Sequence, residues 1–154
     1  MNLKISIDNI NKKFKLKKNP IKKLIRFIFN EEKRSHGEIG LIFVDNDYMI
    51  ELNKKFLQQK NTTDVLSFPL EEADSSAIIG EMYVNLDKVI EQASDYNVTY
   101  LEEMTRIIIH GLLHLLGYND QIRTDKLKMT ERENYYLNII EREDFNLRIN
   151  RKGG

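Results

Sequence analysis

Between Thr99 and Gly117 the chain is apolar on nearly every side of a helix. Thr99, followed three residues later by Glu102, forms a capping box, in which the threonine hydroxyl accepts from a backbone N–H that has no helical partner. Met104, Ile107, Ile108, Ile109, Leu112, Leu113, Leu115 and Leu116 then crowd its faces, and Gly117 stands where a left-handed residue ends a helix. A helix of this kind has to be enclosed by the rest of the fold, so the segment predicts the central buried helix. It nevertheless carries two of the three histidines in the chain, His110 and His114. Four residues apart on a helix, their Cβ atoms lie roughly 5–6 Å from one another, within reach of one metal ion. A lone histidine on such a face is ordinarily a core residue bonded to backbone. The pair, the glycine turn and a carboxylate just beyond it favour a metal site instead.

That carboxylate is Asp120, in Tyr118-Asn119-Asp120. Three protein ligands with one open position is the usual catalytic zinc arrangement, and the layout H-x-x-x-H-x-x-x-x-x-D resembles the metzincin design of two helical histidines and a third ligand after a glycine. Zinc peptidases carry a glutamate general base directly after the first histidine. Here that position is Gly111, which disfavours peptide hydrolysis by this route. One Zn2+ per chain is the expected cofactor, although two imidazoles and a carboxylate suit ferrous iron as well.

The remaining patterns place this helix in an α+β domain. Leu3, Ile5 and Ile7 alternate with Lys4, Ser6 and Asp8 as in a half-buried strand. Asn19 reads as an N-cap before Pro20, with Ile21, Leu24, Ile25 and Ile28 following at helical spacing. Glu38 to Val44 reads as a buried strand, and a helix from about Asn46 turns Met49, Leu52 and Phe56 inward. After a polar loop from Gln58 to Thr62, Val65 to Phe68 is a strand stopped by Pro69. Ile78 to Val84 is another strand, and Asn85 caps a helix containing Leu86, Val89, Ile90 and Ala93. A last helix from roughly Asp125 to Arg142 presents Leu127, Tyr135, Leu137, Ile139 and Ile140. The expectation is a single layered domain over residues 1–154, a small mixed sheet of about four strands packed by about five helices, with a tail that frays from about residue 146.

Its 154 residues are enough to build a core without staples, so a bound metal would be functional rather than structural. The absence of cysteine excludes disulfides, thiol nucleophiles and thiolate metal sites. No apolar run is long enough to span a bilayer and no secretory leader is evident, which predicts a cytoplasmic protein without a membrane partner. Lys and Arg together number 24, as do Asp and Glu, yet residues 1 to 30 hold nine basic side chains against one acid, a local charge of +8. Such a segment is either a solvated face or a seat for phosphate.

The run His110-Gly111-Leu112-Leu113-His114-Leu115-Leu116-Gly117-Tyr118-Asn119-Asp120 resembles the signature helix of the YbeY family, bacterial single-strand-specific endoribonucleases of ribosomal RNA maturation and ribosome quality control. Asn53-Lys54-Lys55-Phe56 leading into Thr62-Thr63-Asp64-Val65-Leu66-Ser67-Phe68-Pro69 is similar to a second family block, and Ile79-Gly80-Glu81-Met82 to a third, in the family's order. The resemblance implies a zinc-dependent endoribonuclease acting at the 3′ end of small-subunit ribosomal RNA, with ribosomes or ribosome-assembly proteins as partners. It also implies metal ligation by His110, His114 and Asp120, and puts Lys54, Lys55, Lys60, Ser67 and Arg106 forward as RNA contacts.

Three positions depart from the family pattern. Asp120 stands where a third histidine is usual, Leu57 where an arginine implicated in catalysis is usual, and Thr62 where a proline is usual. A carboxylate ligand lowers the effective positive charge of the metal, and a lost guanidinium removes a bidentate partner for phosphate. These departures motivate an alternative from another class, a ribosome-associated binding factor with weak or no nuclease activity; a zinc peptidase is the weaker third reading. No proton-transfer group is assigned. Glu81, Glu131 and Glu133 are conceivable, each more simply read as a solvated carboxylate, and His36 reads as a loop histidine without a role.

Overall fold

A computed structural model describes residues 2–58, 62–70, 76–143, 145, 147 and 149–151, the last three by backbone alone. Strands β1 (Asn2–Asn9), β3 (His36–Val44), β4 (Val65–Pro69) and β5 (Ile78–Asn85) form one mixed sheet in the order β1-β3-β5-β4. The first three run parallel, and β4 lies antiparallel to β5 at the edge. Around them, among the described residues, lie five α-helices, α1 (Lys18–Glu31), α2 (Asn46–Leu52), α3 (Leu86–Tyr96), α4 (Tyr100–Leu115) and α5 (Arg123–Arg142). This is the α+β layered domain that the sequence predicts.

Alternation along the strands decides which face is covered. Leu3 and Ile7 of β1, Ile39, Leu41 and Phe43 of β3, and Ile78, Met82 and Val84 of β5 are buried together with α1 and α4 in the main core. The opposite face builds a smaller cluster, in which Val44, Met49 and Leu52 pack with Ile42, Leu66 and Tyr83 beneath α2. Two glycines set how closely α4 sits on the sheet. A Cβ on Gly111 would lie 2.9 Å from both Met82 Cε and Val65 Cγ2, and one on Gly80 would lie 2.8 Å from Leu115 Cδ2. The helix therefore rests directly on β4 and β5.

Several expectations are corrected. Helix α1 starts at Lys18 behind an uncapped Lys17, so Asn19 lies inside the first turn rather than capping it. Pro20 is tolerated there because first-turn N–H groups have no helical acceptor. After Leu52 the chain continues into a π-helical turn, Asn53–Leu57, closed by Gln58 at a φ of 53°. The wider turn breaks the α-helical period, and Phe56 is 53% exposed instead of inward, its ring 5.2 Å from that of Phe68. In α5, Leu127 and Tyr135 are exposed, while Met129, Glu133 and Tyr136 make the buried stripe. Leu137 and Ile140 do pack against the main core as expected, but the inward face is partly polar, so apolar periodicity misplaces Leu127 and Tyr135.

Pro69 ends β4 from within the strand, as an edge position permits. Short strands β2 (Phe14–Leu16) and β6 (Ile149–Arg151) pair antiparallel, so this part of the tail is tied down where fraying was expected. Three-residue strands are too short to leave a periodic signal. Of the loop from Gln58 to Thr62, residues 59–61 lie outside the described residues, and Lys60 with them. Among the described residues, no helix is long and apolar enough to cross a membrane.

Candidate metal centre

The N-cap at the start of α4 forms, with Thr99 Oγ1 accepting from the Glu102 N–H at 3.1 Å. At the other end the N–H of Gly117 donates to His114 O at 3.1 Å and that of Tyr118 to Leu113 O at 3.0 Å. These two bonds form a Schellman turn, which needs its left-handed residue, and Gly117 has a φ of 104°. The turn sends the chain back past the last turn of α4 and brings Asp120 to the two histidines.

There Nε2 of His110 and Nε2 of His114 are 3.1 Å apart, and Asp120 Oδ2 lies 3.7 Å from the first and 3.4 Å from the second. Two ligands of a tetrahedral ion at 2.0–2.1 Å are separated by roughly 3.3 Å, so these three donors fit one divalent cation. The three side chains are 25%, 30% and 38% exposed, which leaves the site open on one side. Behind it, Nδ1 of His110 lies 2.6 Å from Oε1 of Glu133, a residue only 8% exposed. With its proton held on Nδ1 by that carboxylate, His110 turns its Nε2 lone pair toward the cluster. Glu133 is thus no solvated carboxylate, contrary to expectation. Its one sequence signal is position, midway between buried Met129 and Tyr136 on α5.

The other conceivable carboxylates are elsewhere. Glu131 is exposed. Glu81 accepts from the Tyr83 hydroxyl at 2.8 Å, and alternation along β5 puts both on the face away from α4. Burial and the Glu81 carboxylate push the Tyr83 hydroxyl up to about 12. His36 is the first residue of β3, exposed, and bonded to Ser35 Oγ at 2.8 Å.

The expected RNA-contacting residues are dispersed. Ser67 Oγ donates to Gly111 O at 2.9 Å, fastening β4 to α4 beside His110. Arg106, one turn before His110, donates through Nε and Nη2 to buried Glu103 at 2.9 and 2.6 Å. This bonding, against the opposing effect of burial, raises its guanidinium above its ordinary value. Lys54 pairs with Glu51 at 3.4 Å, and Lys55 Nζ lies 5.4 Å from the Phe56 ring. Both are on the π-helical turn, as is Leu57, 44% exposed. Thr62 Oγ1 donates to Asn46 Oδ1 at 3.2 Å and accepts from Asn85 Nδ2 at 2.8 Å, so the hydroxyl found in place of proline joins the network at the starts of α2 and α3.

Gly111 occupies the place of the peptidase glutamate. A larger residue there is crowded, because a Cβ would lie 2.9 Å from Met82 Cε and Val65 Cγ2 and 3.1 Å from Ser67 Oγ. The mixed sheet and the two-histidine helix with its returning carboxylate define an α+β domain built around a candidate divalent-metal centre, with glycine where a zinc peptidase carries its glutamate base.

The family model for endoribonuclease YbeY matches residues 6–141. The chain belongs to this family of RNA-cleaving hydrolases. Among its relatives, the endoribonuclease YbeY of Flavobacterium psychrophilum is 39% identical over 109 residues, covering 71% of this chain and 76% of the relative. That of Salinibacter ruber is 33% identical over 143 residues, covering 88% and 91%. A solution structure of a Thermotoga maritima protein matches with a TM-score of 0.61 at 32% identity, over 86% of each chain.

Proposed function

We propose that this chain is a zinc-dependent endoribonuclease specific for single strands, acting on the 3′ end of small-subunit ribosomal RNA and in ribosome quality control in the cytoplasm. The observation that carries the reading is the convergence of His110, His114 and Asp120, whose ligand atoms all lie within 4.8 Å of one another at the end of the buried helix. A divalent ion bound there supplies Lewis-acid polarisation of a phosphodiester and makes water more acidic.

The chain's own residues supply the rest. Glu133 holds the proton on His110 Nδ1 and so fixes the tautomer that ligates. Asp120 and Glu133 bring two negative charges to the site, matching a dication and moderating its acidity relative to a site of three neutral histidines. The basic segment from Lys12 to Arg26 seats backbone phosphates, although Lys13 is already paired with Asp87 at 2.7 Å and Arg26 donates to Leu3 O at 2.9 Å. Ribosomal RNA, the ribosome and its assembly proteins are the proposed partners.

The test is cleavage of a single-stranded RNA and its duplex by the zinc-loaded protein beside His114→Ala. Cleavage of the single strand alone, lost in the variant, is the expected result. A second reading, a ribosome-binding factor without nuclease activity, is favoured by exposed Leu57 standing in place of arginine. It predicts ribosome association with no cleavage by wild type or variant.

A further inference from the structure

We infer that Glu32 is a positioning residue of the metal centre: its carboxylate, just past the end of α1, holds together the loop that brings Asp120 and the part of α5 that brings Glu133. The inference rests on the reading of His110, His114 and Asp120 as metal ligands.

The Glu32 side chain is 10% exposed. Its Oε1 accepts from the Tyr118 hydroxyl at 2.8 Å, and its Oε2 accepts from Arg132 Nε at 2.8 Å and from the Tyr136 hydroxyl. Tyr118 stands two residues before Asp120; Arg132 immediately precedes Glu133, and Tyr136 follows it by three. The guanidinium of Arg132 lies 4.4 Å from the Tyr135 ring centre and 5.0 Å from that of Tyr136, so the donor facing Glu32 is itself clamped. A buried carboxylate without donors is costly, and one with three, including a cation, is fixed in place.

The consequence is geometric. Asp120 is delivered by a short loop after Gly117, and His110 is aligned by a residue on a different helix; both must stay in register with α4 for the donors to meet. Apart from Asp120 itself, the Tyr118 hydroxyl makes the side-chain hydrogen bond that ties residues 118–122 to another element among the described residues. Glu32 joins that loop to α5 through one carboxylate. Partners that orient ligands are worth about 10–100-fold in metal affinity.

The experiment is titration of the apo proteins with Co2+, following visible absorption and Kd, with the apo Tm measured in parallel. Wild type is compared with Glu32→Ala, Glu32→Gln, Tyr118→Phe and, as the ligand control, His114→Ala. The proposal expects Co2+ binding about tenfold weaker in Glu32→Ala with altered band intensities. Tyr118→Phe shows a smaller loss in the same direction at an unchanged Tm, and Glu32→Gln recovers part of the affinity, because its one amide oxygen accepts on one side, from Tyr118 or from Arg132 and Tyr136, and not on both. If Glu32→Ala does not fold, Tyr118→Phe carries the test. Wild-type Kd and spectra in the Glu32 and Tyr118 variants, whatever their Tm, overturn the positioning role and leave the metal site standing. No Co2+ spectrum in wild type, or no loss in His114→Ala, overturns the metal site and with it the role of Glu32.

Discussion

Nδ1 of His110 and Oε1 of Glu133, from two different helices and 23 residues apart in sequence, meet at 2.6 Å. The contact selects one of two imidazole tautomers before any ion binds, since only the Nδ1–H form can donate to the carboxylate. Glu133→Gln keeps an acceptor of the same shape and removes the charge. Zinc affinity is expected to fall about tenfold with little change in Tm, as read by calorimetric titration. Unaltered affinity contradicts the orienting role.

Gly111 predicts a cost in stability. A methyl group there meets the stiff Val65 side chain at 2.9 Å and Ser67 Oγ at 3.1 Å as well as the more yielding end of Met82. Gly111→Ala is expected to destabilise by about 1–3 kcal/mol, seen as a lower midpoint in denaturant titration. A neutral substitution would show that α4 stands further from the sheet than described.

Two carboxylates contribute to stability that is lost in acid. Burial works to raise the Glu32 carboxyl, but hydrogen bonds from Tyr136, Tyr118 and Arg132 outweigh it and hold the group below the usual carboxylate range. Burial likewise opposes, and bonds from Lys13, the Asn46 N–H and Asn11 overcome it, at Asp87. With folded values below unfolded ones, both stabilise fully at neutral pH, and that contribution is lost as pH falls from about 4 downward. Thermal unfolding followed from pH 7 to pH 3 should show Tm dropping in that window, with a shallower drop for Glu32→Gln. Equal slopes for the two proteins contradict the assignment.

The basic segment predicts a salt effect. Lys17 and Lys18 are exposed at the start of α1. If they meet phosphates, the double Ala variant binds single-stranded RNA of any sequence more weakly, and its log–log salt slope is shallower by roughly 1.4, at about 0.7 per phosphate. An unchanged slope returns these lysines to a solvated face.

The elements legible in the sequence are those whose periodicity agrees with their packing. β1, β3 and β5 alternate or run apolar as their burial requires, and α4 announces itself by its capping box, apolar girth and terminal glycine. What stayed hidden has a physical cause in each case. Phe56 obeys an α-helical period that the π-helical turn abandons, and Glu133 lies on a face of α5 where charge is buried because a histidine is there to meet it. Likewise, Glu32 gains its importance from Tyr118, Arg132 and Tyr136, the first of them 86 residues away. Spacing along one helix shows His110 and His114, and the glycine turn points to Asp120; the residues that hold them in place belong to other elements, where no local pattern reaches.

Three ligands and one ion make the proposed centre, and counting metal tests it most directly. Elemental analysis of purified wild type beside His114→Ala and Asp120→Ala is expected to give about one zinc per chain in wild type and clearly less in both variants. A wild type that stays metal-free under zinc-replete conditions, or variants that keep their full complement, would contradict it.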